Sequence, residues 1–288
     1  MELRVLRYFL TVAREENITR AAALLHVTQP TLSRQLMQLE EELGVKLFRR
    51  SQYRVILTED GMLLRRRAQE LVELADKTQR EFSRREGALT GEVTIGCGET
   101  RSMTFLSQQM LPFREAHPLV EFSVYSGNAD DIKDRLEKGL LDLGLLMEPV
   151  DICRYEFIRM PHKERWGVLV HRDASLAQQG LVTPEDLLGV PLLLPRREKV
   201  REELAAWFGD LYRQVEIAGT YNLILNTANM VKNRVGAALC FYHDNLSDEL
   251  RFVPLSPPLE TGTVLVWKKN QVFSPAAGQF LAGLKNVF

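Results

Sequence analysis

The chain has 288 residues, 45% of them hydrophobic and 26% charged, which suits two or three folded domains and excludes a disordered or low-complexity protein. No apolar run approaches the roughly 18 residues that a membrane span needs, and the opening Met1-Glu2-Leu3-Arg4 is not a signal sequence, so a cytoplasmic protein without membrane contact is expected. The net charge of −1 conceals an asymmetry: residues 1–90 carry 16 Lys and Arg against 13 Asp and Glu, a net of +3, while the remaining 21 against 25 give −4. A basic front on an acidic body points to a polyanionic partner at the N-terminus.

The spacing of Leu3, Leu6, Leu10 and Ala13, widened by Phe9 and Val12, predicts a helix over residues 3–15. Asn17 is placed to cap a second helix over 18–25, and His26-Val27 forms a short turn. Thr28 then caps a third helix, with Pro30 in its first turn where a missing N–H costs nothing. Leu32, Leu36, Leu39 and Leu43 form the buried stripe of this helix, which leaves Gln29, Thr31, Arg34, Gln35 and Gln38 outward with Ser33 beside them. Gln and Arg each offer two hydrogen bonds to a base edge, and Ser and Thr reach phosphates or bases. A helix N-terminus also favours a nearby phosphate. The leading end therefore reads as built for a DNA major groove; a Gln-rich solvated face is the plainer alternative. Two short helices joined by a tight turn make a helix-turn-helix. Beyond Gly44, Arg49, Arg50 and Arg54 flank a hairpin reaching to Leu57, placing cations as a wing does.

The segment YFLTVAREENITRAAALLHVTQPTLSRQLMQLEEELGVKLFRR followed by LTEDG resembles the N-terminal domain of LysR-type transcriptional regulators over about sixty residues, in order, spacing and wing. Asn17-Ile18 departs from the small polar residues and Phe usual there, though the capping logic survives. The resemblance implies base and phosphate contacts from Gln29, Pro30, Thr31, Ser33 and Arg34 on double-stranded DNA. To these the residues add Gln38 and the wing arginines Arg49, Arg50 and Arg54.

From Thr58 to about Leu89 one long helix is expected. Leu64, Ala68, Leu71, Ala75, Thr78 and Phe82 repeat at four and three residues, a coiled-coil seam. Packing on its own domain is the alternative to pairing with a second chain; the resemblance implies that this linker dimerises. Arg84-Arg85 lie near its end, and residues 87–91 supply two glycines for a hinge.

Past Gly91 strands alternate with helices. Strands are expected at 93–96, 122–125, 143–146, 167–170, 192–194, 215–217 and 237–240, with helices at 103–116, 130–138, 184–188 and 223–231. This is an α/β pattern with a mostly parallel sheet. GEVTIGCGE, GLLDLGLL and RWGVLVHRD resemble the effector domain of the same family, which is built like a periplasmic binding protein. The expected division is a winged helix-turn-helix domain at 1–58, a linker helix and hinge at 59–90, and an effector-binding domain at 91–288. Its sub-domain I would take about 92–160 and 268–288, and sub-domain II about 161–267. Ligands in such folds lie beyond the carboxyl ends of strands. Three strand ends fit: Gly98, Thr100, Arg101 and Ser102 (with Glu99 among them), Asn128, and Pro195 with Arg196 and Arg197. Each also has the plainer reading of a helix cap or a solvated cation. Two cations, Lys232 and Arg234, stand where relatives show small residues, and Phe241 replaces the usual proline. If two of Arg101, Arg196, Arg197, Lys232 and Arg234 pointed inward the cleft would be locally positive, suited to a carboxylate or another anion.

Neither an enzyme motif (GxSxG, HExxH, P-loop, GxGxxG) nor a metal-ligand spacing is present. The five histidines are scattered, Cys97, Cys153 and Cys240 form no CxxC, and no cofactor or metal is expected. Asp130-Asp131 read more simply as a helix start than as an acid–base pair. The expectation is a homodimeric or homotetrameric, DNA-binding transcriptional regulator controlled by a small anionic molecule, with RNA polymerase as a candidate partner. A solute-binding protein or enzyme of the binding-protein fold explains only residues 92–288, and an architectural DNA-binding protein leaves the body without a ligand.

Overall fold

In the computed structural model, which describes residues 1–50, 54–82, 88–244 and 246–287 with the backbone alone at Arg50, the chain divides into two units, Met1–Phe82 and Ser83–Phe288. The first comprises α1 (Leu3–Glu15), α2 (Ile18–Leu24), α3 (Gln29–Leu43), a hairpin of β1 (Phe48–Arg50) and β2 (Val55–Leu57), and α4 (Glu59–Phe82). Its core is built from Leu6, Phe9 and Val12 of α1, Ala21 and Ala22 of α2 and Leu32, Leu36 and Leu39 of α3. The apolar stripe of α1 is rotated from the expected one, since Val5 is buried and Leu3 is 44% exposed; Leu43 is likewise exposed. His26 takes a left-handed φ of 54° in the turn between α2 and α3, and Gly44 (φ 69°) ends α3.

Helix α4 is stitched to the hairpin at its start. Thr58 Oγ1 accepts from Gly61 N (2.9 Å) and donates to Lys46 O (2.6 Å), while Thr58 N donates to Leu47 O (3.0 Å). A side chain at Gly61 would run into the Leu47 carbonyl oxygen. Along its length α4 packs on α1, with an Arg7–Asp76 ion pair. Within this chain Ala68 is fully buried in its own unit and Leu64 half-buried beside it, so the first turns of α4 pack on their own domain. Leu71 and Phe82 are exposed, Ala75 is half-buried, and Leu63 (54%) and Leu74 (39%) join the outward face instead. The helix's rotation about its axis is set by the small Ala68 and Gly61, which permit close approach. Gly87, Arg84 and Arg85 lie outside the described residues, and Gly91 is already strand.

The second unit holds two sheets. The first runs β4-β3-β5-β13-β6, from β3 (Gly91–Cys97), β4 (Val120–Ser126), β5 (Leu143–Met147), β6 (Tyr155–Arg159) and β13 (Thr263–Lys268). Helices α5 (Ser102–Ala116), α6 (Ala129–Glu137) and α9 (Pro275–Val287) accompany it. The second runs β11-β7-β10-β8-β9 with β12 paired to β7, from β7 (Glu164–His171), β8 (Leu192–Pro195), β9 (Ile217–Tyr221), β10 (Ala237–Phe241), β11 (Leu250–Pro254) and β12 (Glu260–Thr261). Helices α7 (Glu198–Phe208) and α8 (Ile224–Lys232) pack on it.

Both sheets are mixed rather than mostly parallel. β3, β4 and β5 are parallel, as are β8, β9 and β10, but β13 runs antiparallel to β5 and β6, and β7 antiparallel to β10, β11 and β12. The reversal comes from the two strands that follow the crossings between sub-domains, β7 and β13. The second crossing therefore falls between Thr261 and Thr263, earlier than the expected position near residue 267. β6, β11, β12, β13, α7 and α9 go beyond the sequence reading, the strand expected at 215–217 lies at Ile217–Tyr221, and 184–188 holds only a 3-10 turn at Glu185–Leu187.

Candidate functional site

Two places bring polar groups together: the leading end of α3 and a cleft in the second unit. At the first, Thr28 caps α3, accepting from Thr31 N at 3.4 Å, and its hydroxyl lies 2.8 Å from that of Thr31. Burying Leu32, Leu36 and Leu39 fixes the helix's rotation and turns Gln29, Pro30, Thr31, Arg34 and Gln38 to solvent, with Ser33 half-buried. The side chains of Gln29, Arg34 and Gln38 have no hydrogen-bond partner among the described residues, so their donors remain available. In the hairpin, Arg49 is exposed, Arg54 pairs with Glu16 at 3.6 Å, and the side chain of Arg50 lies outside the described residues.

Sequence reasoning missed Glu40. Only 9% exposed, its carboxylate accepts from Leu47 N (2.9 Å) and Phe48 N (3.2 Å) and pairs with Lys46 (2.7 Å), which fixes the start of the hairpin on α3. Burial pushes its pKa up, but the Lys46 and backbone hydrogen bonds outweigh this and hold it below the usual carboxylate value. The signal was an acid directly after Leu39 on the apolar stripe.

The cleft is a cavity of about 280 Å³ formed beyond the carboxyl ends of β3, β4, β5, β8, β9 and β10, between the two sheets. Of the expected effector residues, Gly98, Asn128, Pro195 and Arg196 line it, and Thr100, Arg101 and Ser102 do not. Asn128 caps α6, accepting from Asp130 N (2.8 Å) and Asp131 N (3.1 Å). Thr100 and Ser102 are buried and turned to Glu164: the Thr100 hydroxyl, the Ser102 hydroxyl (3.0 Å) and Ser102 N (3.1 Å) all donate to Glu164 Oε1. Arg101 pairs with Asp244 at 3.4 Å and lies over the Tyr242 ring. Lys232 and Arg234 are spent on Glu249 (2.7 Å) and Asp173 (3.1 Å) at the surface. Two of the five cations, Arg196 and Arg197, therefore stand on the cleft wall, beside Glu99, Asp130 and Glu198.

Arg197 bridges the two sub-domains. Its guanidinium donates to Pro149 O (2.9 Å) and Met147 O (3.5 Å) and sits 3.6 Å from Asp130; burial lowers its pKa and Asp130 opposes this. Glu99 crosses the other way, accepting from Leu225 N at 3.1 Å in the first turn of α8. His243, also on the wall, is held below its usual pKa by burial, against the pull of Glu99, Glu164 and Asp244. The apolar wall includes Ile132, Trp166 and Phe241, the last two with ring centroids 4.3 Å apart. At the start of α7 no side chain caps the helix. Among the described residues no cluster of His, Cys, Asp and Glu could hold a metal, and no helix is long and apolar enough to cross a membrane.

Comparison with known proteins gives this arrangement a family. Residues 3–62 match the bacterial regulatory helix-turn-helix protein, lysR family, and residues 86–288 match the LysR substrate binding domain. The Hca operon transcriptional activator HcaR of Escherichia coli (strain K12) is 29% identical over 288 residues, 98% of this chain and 96% of that protein. The transcriptional activator IlvY of Salmonella typhimurium (strain LT2) is 31% identical over 211 residues, 72% of this chain and 71% of that one. Full-length CbnR in complex with its target DNA shares the fold, with a TM-score of 0.75 at 21% identity and all of both chains covered. The chain belongs to the LysR family of DNA-binding transcriptional regulators, with an N-terminal helix-turn-helix and a C-terminal effector-binding domain, and not to a family of enzymes.

Proposed function

We propose that this regulator acts in the cytoplasm as a homo-oligomer that reads operator DNA with the leading end of α3. Two copies pair through the outward face of α4. Residues 1–58 serve as the reading head, 59–90 as the pairing linker and 91–288 as the ligand-responsive body. The exposed Gln29, Arg34 and Gln38, whose side chains have no partner among the described residues, support the assignment of base contacts, with Pro30, Thr31 and Ser33 beside them and Arg49, Arg50 and Arg54 on flanking phosphates. The exposed stripe of Leu63, Leu71, Leu74 and Phe82 supports the pairing face.

The effector is a small carboxylate or comparable anion bound in the cleft. The observation that carries this reading is the α7 end. Its first N–H groups have no side-chain cap, and Arg196 stands exposed on the same wall with its backbone N fixed to Tyr221 O at 2.7 Å. A helix N-terminus and a guanidinium together suit a carboxylate, which can accept from both. The test is a thermal-shift screen of the full chain with carboxylates, neutral compounds and amines. Stabilisation by carboxylates that disappears in Arg196→Ala is expected. Hits confined to neutral or cationic compounds would overturn the anionic reading and leave the regulator assignment standing.

A further inference from the structure

Glu164 opens β7 in sub-domain II and is 2% exposed, yet no ion pair reaches it among the described residues. Among the described residues the hydrogen bonds to its carboxylate come from sub-domain I and converge on one oxygen: the Thr100 hydroxyl, the Ser102 hydroxyl and Ser102 N donate to Oε1. Ser102 N belongs to the first residue of α5, a helix of 15 residues. Oε2 is enclosed without any hydrogen-bond partner. Burying a carboxylate with one oxygen unanswered and no counter-charge is costly, and a group of this kind in a native fold calls for a reason beyond packing.

The donors supply the reason. Two hydroxyls and the N-terminal N–H of a long helix make the receptor that an anion needs. Here it lies just past β3, at the strand end that borders the cleft through Gly98 and Glu99. We propose that Glu164 is a built-in occupant of an anion site at the start of α5, and that by filling this site it determines which ligands the cleft refuses there. External carboxylates find the donors of Thr100 and Ser102 already engaged, so an effector's acid group is left with the α7 end. That consequence for effectors rests on the cleft reading given above; the occupancy of the α5 end does not, and the two are tested by different variants.

Removing the side chain should turn the site into an open receptor. Full-length Glu164→Ala is melted in sodium formate, with sodium chloride at equal ionic strength as the control. It should melt several degrees below the wild type and recover most of that loss in formate, while the wild type does not respond. Adding Thr100→Val should weaken the rescue. Glu164→Gln fills the same space without the charge, and should melt lower than the wild type and ignore formate. A folded Glu164→Ala protein indifferent to formate would overturn the proposal, as would a Glu164→Gln protein that melts like the wild type. If Glu164→Ala is isolated unfolded, refolding in formate should recover it, and failure to do so counts equally against the idea. Thr100→Val alone separates the two readings: loss of carboxylate binding in that variant would refute the exclusion and leave an anionic effector in place, whereas loss only in Arg196→Ala supports both.

Discussion

The leading end of α3 and the loop before α5 have similar sequences, each a run of short hydroxyls and an arginine entering a helix, and the fold treats them oppositely. Across Gln29–Arg34 the apolar stripe lies on the far side of the helix, so Gln29 and Arg34 face solvent with side chains that have no hydrogen-bond partner among the described residues. At Thr100–Ser102 the same kinds of group are inside, because a second sub-domain lies over them and delivers Glu164. A polar run at a helix start thus says that something accepts its hydrogen bonds. Whether the acceptor is another molecule or the chain itself depends on what else packs there.

The largest test of that contrast concerns what holds the α3 end outward. Phe9 is fully buried and lies 5.2 Å from the Phe48 ring, so Phe9→Ala should cost about 3–5 kcal/mol and unfold the reading head before the body. Chemical denaturation followed separately in the two units would show it; a single unshifted transition would mean that the head draws its stability elsewhere.

A second break is aimed at α4. Leu71→Asp places a charge on the outward stripe, and if that stripe is covered by another copy the unpaired charge is costly there. Dimers and tight operator binding should both be lost, with the body still folded. Sedimentation showing an unaltered oligomer would place the pairing face elsewhere.

Arg34→Ala sharpens the comparison at the groove. It should reduce discrimination between operator and random DNA by about 1–3 kcal/mol if the contact to a base is bidentate. Arg54→Ala should instead weaken all sequences alike and lower the salt slope by about one counterion. Titrations in which Arg34→Ala keeps full specificity would return α3 to the status of a solvated face.

The smallest effect concerns Glu40 and pH. Its folded pKa lies below the ordinary 4.5, so the stability it contributes is complete above that value and is lost as the pH falls through the depressed one. Glu40→Gln should flatten this acid limb of the reading head's stability curve while leaving the body's unchanged. An acid limb identical to the wild type would assign the titration to other carboxylates.

Much of the reading head could be read from sequence because its contacts are local. Periodicity placed α1, α2 and α3 within a residue of their ends, and Asn17 and Thr28 cap as their side chains suggest. The body was legible in its parallel strands, where short apolar runs stand between turns. It was not legible at β7 and β13, whose direction depends on a chain that crosses between sub-domains twice. Side-chain direction in the cleft failed for the same reason. Arg101, Lys232 and Arg234 find Asp244, Glu249 and Asp173, partners from 17 to 143 residues away, and no pattern within a window reports such meetings. Along α4 a four–three repeat fixes the period of a stripe and leaves open which of two neighbouring faces meets the protein's own core, where Ala68 lies.

Gly61 turns that packing into mechanics. With the Leu47 carbonyl where a side chain would be, and Thr58 tying both Lys46 and Gly61, the base of α4 has no room to swivel against the hairpin. The head is welded to a lever 24 residues long. Under the proposed pairing through α4, a twist of the shaft would reach the leading end of α3 as an equal change of aim, and a small rotation would suffice to change how a pair of heads matches the turns of the double helix.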